Sequence, residues 1–244
     1  MDTLIDEILH ICAQLSDKDN IHLSATSKCF SNIKFRILFF TKIHIKDIVH
    51  LSYFHQFSNV IMSDTNEPFP KHVINLTFDC YFNQPINSCI PDSVIHLTFG
   101  DHFNQPINSC IPKSVTHLTF GWRFNKKIKS CIPESVTHLT FGFCFIQSIN
   151  GCIPNSVTHL IFGYNFNQAI NDCIPNSVTN LTFGNSFNRA INSCIPDSVT
   201  HLTFGGDFNQ SIDSIPNSVV NISLTRNYRR EISKKMLSKV TIRT

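Results

Sequence analysis

One phrase returns through this chain at a fixed interval. IPKSVTHLTFGWRFNKKIKSC begins at Ile111, IPESVTHLTFGFCFIQSINGC at Ile132 and IPNSVTHLIFGYNFNQAINDC at Ile153, a spacing of 21 residues. A unit this short cannot bury its apolar side alone, so successive copies must stack and share one interior. Pro70, Pro91, Pro112, Pro133, Pro154, Pro175 and Pro196 mark starts, and Pro216 opens a partial copy after a coil that lacks its cysteine. The chain is therefore expected to form a solenoid of seven coils and a closing strand over residues 70–224.

Aligned on its proline, the unit reads I-P-x-S-V-x-x-L-x-F-G-x-x-F-N-x-x-I-x-x-C. Val136, Leu139 and Phe141 carry the β-branched and aromatic character and the alternation of a strand, which predicts one short parallel strand per coil. Pro133 precedes the strand, where its missing N–H does least harm, and Gly142 follows, where the chain turns. Phe145, Ile149 and Ile153 return the chain along the other side. The unit is too short for a strand plus a full helix, so that side is expected to be irregular or 3₁₀. Of the 22 Phe, most occupy repeat positions, so rings should fill the core. Cys89, Cys110, Cys131, Cys152, Cys173 and Cys194 share one repeat position and read as a structural ladder of buried residues, because a line of thiols does not converge on a metal.

The pattern is similar to the leucine-rich repeat, with Phe at the tenth position. It most resembles the FNIP repeat, through Phe82-Asn83-Gln84-Pro85-Ile86 and Phe103-Asn104-Gln105-Pro106-Ile107. Ile146 replaces the asparagine in one copy and should loosen the turn there. The leucine-rich-repeat likeness implies that offsets 3 and 5 point outward: His96 and Thr98, His117 and Thr119, His138 and Thr140, His159 and Ile161, Asn180 and Thr182, His201 and Thr203. Two readings of the histidines stay open, a solvated hydrogen-bonding face and a metal or pH-responsive site. The pair after the glycine varies most, with Trp122-Arg123, Phe143-Cys144 and Tyr164-Asn165 in successive coils. Trp122, Arg123, Phe143 and Tyr164, with His117, His138 and His159, are the candidate target-binding residues. The rings read either as partner anchors or as plain edge packing.

In front of the repeats, apolar residues at 4, 5, 8, 9, 11 and 15 fit one helical stripe, and Ser16-Asp17-Lys18-Asp19 can cap a second helix. This segment resembles an F-box: the start Leu4-Ile5-Asp6-Glu7-Ile8-Leu9 follows L-P-D-E-I-L, with Ile5 at the proline, and Ser27-Lys28-Cys29-Phe30 matches S-K-x-F. The resemblance implies that Leu4, Ile5, Ile8, Leu9, Leu15 and Leu23 contact the Skp-type adaptor of a cullin-RING ubiquitin ligase. Helices that merely cap the solenoid are the alternative. The expected fold class is α+β: a short N-terminal helical F-box-like domain (1–42), a capping or linker segment (43–69) in which residues 43–62 mix a short strand, a helix-like stretch and another strand in an irregular layer, a leucine-rich-repeat-like solenoid with a parallel sheet and one short strand per coil (70–224), and a basic C-terminal cap or tail (225–244).

Net charge is only +3, and the basic cluster from Arg226 to Arg243 fits the polar end that a solenoid requires, so neither nucleic acid nor membrane is an expected partner. Acidic residues interrupt the apolar N-terminal run, so no signal peptide is expected, and no apolar stretch approaches the ~20 residues of a membrane span. An intracellular, cytoplasmic setting is expected, host cytoplasm for a viral chain. Nucleophile elbow, P-loop, dinucleotide loop and zinc-protease motif are all missing, so neither an enzyme nor a cofactor is expected. The function these features imply is protein binding, with the chain as substrate receptor of a Skp/cullin/F-box ubiquitin ligase, or as a stand-alone FNIP scaffold.

Overall fold

The computed structural model describes residues 10–12, 14–26, 33–86 and 90–243, without the side chains of residues 23–26 and 33. Two compact units divide between Phe78 and Asp79.

In the first unit, helix α1 spans Asp17–Thr26. Its start is set by Ser16: the hydroxyl oxygen accepts the Asp19 amide at 3.2 Å and its hydrogen goes to Asp19 Oδ2 at 2.6 Å. This N-cap satisfies one otherwise unpartnered helical N–H. Buried Asn20 donates from Nδ2 to the Cys12 carbonyl at 2.9 Å, tying α1 to the helical residues 10–12. Leu4, Ile5, Ile8 and Leu9 lie outside the described residues, as does the side chain of Leu23 on α1.

After a 3₁₀ turn at Ile33–Phe35 come strand β1 (Ile43–His44), helix α2 (Ile45–Ile48), a 3₁₀ turn at Phe54–Gln56, strand β2 (Asn59–Met62) and strand β3 (Asn75–Phe78). The strands pair in parallel, with Ile43 opposite Val60 and Val60 opposite Leu76. The short strand, helix-like stretch and second strand expected over residues 43–62 are present, joined in a regular ladder and not an irregular layer. Val60 and Met62 alternate inward as Leu76 and Phe78 do, and that shared period of two fixes the register.

The second unit is a parallel-sheet solenoid. Its strands are β4 (His96–Thr98), β5 (His117–Thr119), β6 (His138–Thr140), β7 (His159–Ile161), β8 (Asn180–Thr182), β9 (His201–Thr203), β10 (Asn221–Thr225) and β11 (Val240–Arg243). Each pairs with the next at equivalent repeat offsets, His117 opposite His138 and Leu118 opposite Leu139. The strands are only three residues long in β4 to β9, because the Val136 amide turns back onto the Pro133 carbonyl at 3.1 Å and its equivalents do the same. Register survives the shortened coil before β10, where Ile215 N to Ile212 O at 3.1 Å replaces the turn that elsewhere ends in cysteine.

Val136, Leu139, Phe141, Phe145 and Ile149 are all within 2% of complete burial, and each such side chain contributes about 1.5–3 kcal/mol relative to exposure. Phe141 and Phe145 stack at 4.0 Å within a coil, and each lies over its counterparts in the neighbouring coils at 5.7 to 6.3 Å. Gly142 is required for a reason other than turn geometry: a Cβ there would lie 1.8 Å from the Gly121 carbonyl oxygen. The left-handed residues come later, just before the cysteines, at Ser109, Ser130, Gly151, Asp172 and Ser193, with φ from 52° to 63°.

Beyond β10, helix α3 (Lys234–Leu237) leads into β11. The basic residues here serve the preceding coils' carbonyls: Lys239 Nζ donates to Asn217 O at 2.9 Å and Arg243 Nη2 to Phe204 O at 2.7 Å.

Candidate functional site

The strands present leucine inward and leave the flanking residues at the surface. His96, His117, His138 and His159 form a continuous stack with ring centroids 4.2 Å apart. The threonine before each of the last three orients its ring: Thr116, Thr137 and Thr158 hold Oγ1 at 2.8 to 2.9 Å from the following Nδ1. Thr137 Oγ1 also lies 3.2 Å from the Thr116 carbonyl. Both contacts are satisfied when the hydroxyl donates to the carbonyl and Nδ1–H donates to the hydroxyl. Nε2 then carries a lone pair in the plane of the ring. Parallel rings aim these lone pairs side by side, whereas zinc needs nitrogens converging to about 2.0–2.1 Å from one point. Burial, then the neighbouring imidazoles, lowers the pKa of His117 and His138, so these two rings stay neutral at pH 7.

At the strand ends the chain turns through Gly121 to Phe124, where the Phe124 amide meets the Gly121 carbonyl at 3.4 Å. Trp122 and Arg123 are the corner residues. Stacking of coils brings Trp122 over Phe143 at 4.1 Å and 3°, and Phe143 over Tyr164 at 4.5 Å and 11°. Trp122 is 51% and Tyr164 46% exposed. The rungs beneath are backbone bonds, Cys144 N to Trp122 O at 2.8 Å and Asn165 N to Phe143 O at 2.9 Å.

Other repeated letters hold the frame. Asn83, Asn104 and Asn125 each accept through Oδ1 the amide of the residue one coil on, at 2.9 to 3.1 Å. Ile146 offers no such acceptor to Asn167, and the ladder resumes from Asn167 to Asn188 at 3.1 Å. The serine of each I-P-x-S-V, from Ser114 to Ser198, donates to the valine carbonyl one coil back at 2.7 to 2.8 Å. Of the cysteine ladder, Cys131 and Cys194 are buried, while Cys110, Cys152 and Cys173 are half-buried. They sit at the outer turn, with Cys173 Sγ donating to Asn171 O at 3.0 Å. Burial pushes the Cys110 thiol up to about 11 and raises the others, so these thiols remain protonated and weakly nucleophilic.

The FNIP Repeat family model matches residues 65–102, 82–109, 103–144, 145–186 and 187–227, well over half of the chain. The chain belongs to the FNIP repeat family. A viral relative of this FNIP chain, named "Putative F-box protein", from Acanthamoeba polyphaga mimivirus, is 40% identical over 77 residues. That match covers 28% of this chain and 52% of the relative, so the two share about half the relative's length. The crystal structure of CroV588, described as a novel circular LRR protein, resembles this fold with a TM-score of 0.57 and 32% identity, over 77% of this chain and 37% of that one. Repeat solenoids of this kind present extended surfaces that suit protein–protein interaction, an architecture typical of non-enzymatic binding proteins. Among the described residues, no helix is long and apolar enough to cross a membrane, and no group of three or more His, Cys, Asp or Glu is placed to hold a metal ion.

The sequence placed the histidine and aromatic columns correctly by offset. It missed the serine rungs, whose partners lie one coil away, the threonines that orient the next residue's imidazole, and the pair Tyr81 and His102, which stack at 4.9 Å in the second corner column. Repetition at equal offset was the available signal for all three.

Proposed function

We propose that this chain is the substrate-receptor subunit of a Skp/cullin/F-box ubiquitin ligase, acting in the cytoplasm, of the host where the chain is viral. Leu4, Ile5, Ile8, Leu9, Leu15 and Leu23 dock the Skp-type adaptor, and the FNIP solenoid holds a target protein through Trp122, Arg123, Phe143 and Tyr164, with His117, His138 and His159 beside them. The receptor performs no chemistry; it raises the local concentration of target lysines near the transfer machinery. The observation that carries the target half is the exposed stack of Trp122, Phe143 and Tyr164 at the repeat's most variable position. The adaptor half is supported by the F-box-like start, by the N-cap at Ser16 that opens the second helix, by the 38% exposure of Leu15 and by the mimivirus relative's name.

The test is co-purification of the full chain with a Skp-type adaptor, beside a Leu9→Asp, Leu15→Asp variant. The receptor reading expects capture by the native chain and loss in the variant. No capture by the native chain would leave the FNIP scaffold alone. A Trp122→Ala, Phe143→Ala, Tyr164→Ala variant that retains the same prey would remove the aromatic stack from the target site.

A further inference from the structure

Charge is unevenly spread along the FNIP coils. Between Asp79 and Ile215 there are six Lys or Arg, and five of them, Lys113, Arg123, Lys126, Lys127 and Lys129, fall in the coil that opens at Pro112. That coil contains no Asp or Glu, whereas residues 133–215 hold five carboxylates against the single base Arg189. The basic coil is also the one that supplies Trp122. Trp122, Arg123 and Lys127 are exposed and Lys126 half-exposed. Among the described residues, no hydrogen bond or ion pair engages the charged ends of Arg123, Lys126 or Lys127. The adjoining carboxylate, Asp101, is turned to the backbone and a thiol: Oδ1 faces the Trp122 amide at 3.4 Å and Oδ2 accepts Cys80 Sγ at 3.7 Å.

Ring geometry narrows the partner. Trp122, Phe143 and Tyr164 lie within 3° and 11° of parallel, so they cover one another's faces and turn their edges outward. A nucleic-acid base requires an open face to stack on, which this column offers only at its two ends. Ring edges suit aliphatic or edge-on aromatic side chains, and unpaired cations beside them attract carboxylates.

We propose that the aromatic column and the basic coil together form a docking surface for an acidic segment of the target protein that carries an apolar anchor. The anchor packs on the edges of Trp122, Phe143 and Tyr164, and the carboxylates reach Arg123, Lys126 and Lys127. This deepens, and rests on, the reading of the solenoid as the target-holding element.

The test selects a displayed random dodecapeptide library on the full chain and on an Arg123→Glu, Lys126→Glu, Lys127→Glu variant, with an Arg123→Gln, Lys126→Gln, Lys127→Gln variant as the milder change. Unfolding midpoints report whether each variant folds, and adaptor capture is measured in the same preparations. Selected peptides should carry net negative charge and a Leu, Ile, Phe or Trp. They should bind the charge-reversed chain at least about tenfold more weakly, the Gln variant in between, and lose affinity as salt shortens the Debye length from roughly 14 Å to about 7 Å. Retained adaptor capture with lost peptide binding isolates this surface, whereas lost capture by the native chain bears on the receptor reading alone. Neutral or basic binders, acidic binders that the charge-reversed chain retains, tighter binding of a dodecathymidine, or a library that yields no binder would each overturn the proposal.

Discussion

Replacing Gly163 by alanine puts a methyl group where the preceding coil's backbone already lies. The added Cβ would stand 1.7 Å from the Gly142 carbonyl oxygen and 2.4 Å from its carbon. Because both are backbone atoms, no rotamer change relieves the clash, and the two coils must part by more than an ångström. The rungs on either side, Phe141 N to Ile161 O and Asn165 N to Phe143 O, both at 2.9 Å, do not survive that opening. Each is worth about 0.5–1.5 kcal/mol. The ring pairs Phe143–Tyr164 and Phe141–Phe162, at 4.5 and 5.8 Å, are loosened with them, at roughly 0.5–1.5 kcal/mol per pair. The expected destabilisation is therefore about 2–6 kcal/mol. Gly151 is the internal control: its φ is 63° and nothing lies within 4 Å of an added Cβ, so Gly151→Ala should cost only about 1 kcal/mol of left-handed strain. Urea denaturation followed by circular dichroism measures both. A Gly163→Ala chain no less stable than Gly151→Ala would refute the claim that glycine is there for backbone contact.

Ile146→Asn should restore the missing acceptor opposite the Asn167 amide and stabilise the chain by about 0.5–1.5 kcal/mol, visible as a higher urea midpoint; an unchanged or lower midpoint would mean that the asparagine ladder adds nothing to stability. The histidine stack sets a pH dependence. His117 and His138 have lowered pKa values, so the unfolded chain binds protons more readily, and the stability that neutral imidazoles allow is present above the unfolded value of about 6.5 and lost as pH falls through the folded values. Denaturation midpoints between pH 7.5 and 5 should fall, and a His117→Asn, His138→Asn chain should show a flatter profile.

How much of this was legible in the sequence depends on where each residue's partner lies. Leu139, Phe141 and Phe145 declare themselves through period and composition alone, and their burial follows. His117 and His138, or Trp122 and Phe143, become neighbours as soon as copies are assumed to stack in register, because equal offsets must then coincide. Ser135 does not declare itself: its hydroxyl binds the Val115 carbonyl one coil back, and nothing local distinguishes it from a solvated serine. Gly142 reads as a turn residue because both uses of glycine look alike in a sequence. The left-handed corners at Ser130 and Asp172 escaped for the converse reason, since glycine marks that position only at Gly151. Among the described residues of the cysteine ladder, only Cys131 and Cys194 are buried as the repeat position suggests. Its residues follow a left-handed turn on the rim, where Cys152 is half-buried although Ile153 beside it is buried.

The central claim is that successive copies lie in register, and the chain's single tryptophan allows a direct test. With the Trp122 and Phe143 centroids 4.1 Å apart, nuclear Overhauser spectra should show cross-peaks from the indole protons to the Phe143 ring, with upfield ring-current shifts that vanish in Phe143→Ala. Indole protons that show no contact with residue 143, or that contact a ring from a different repeat offset, would contradict the stacking on which the rest is built.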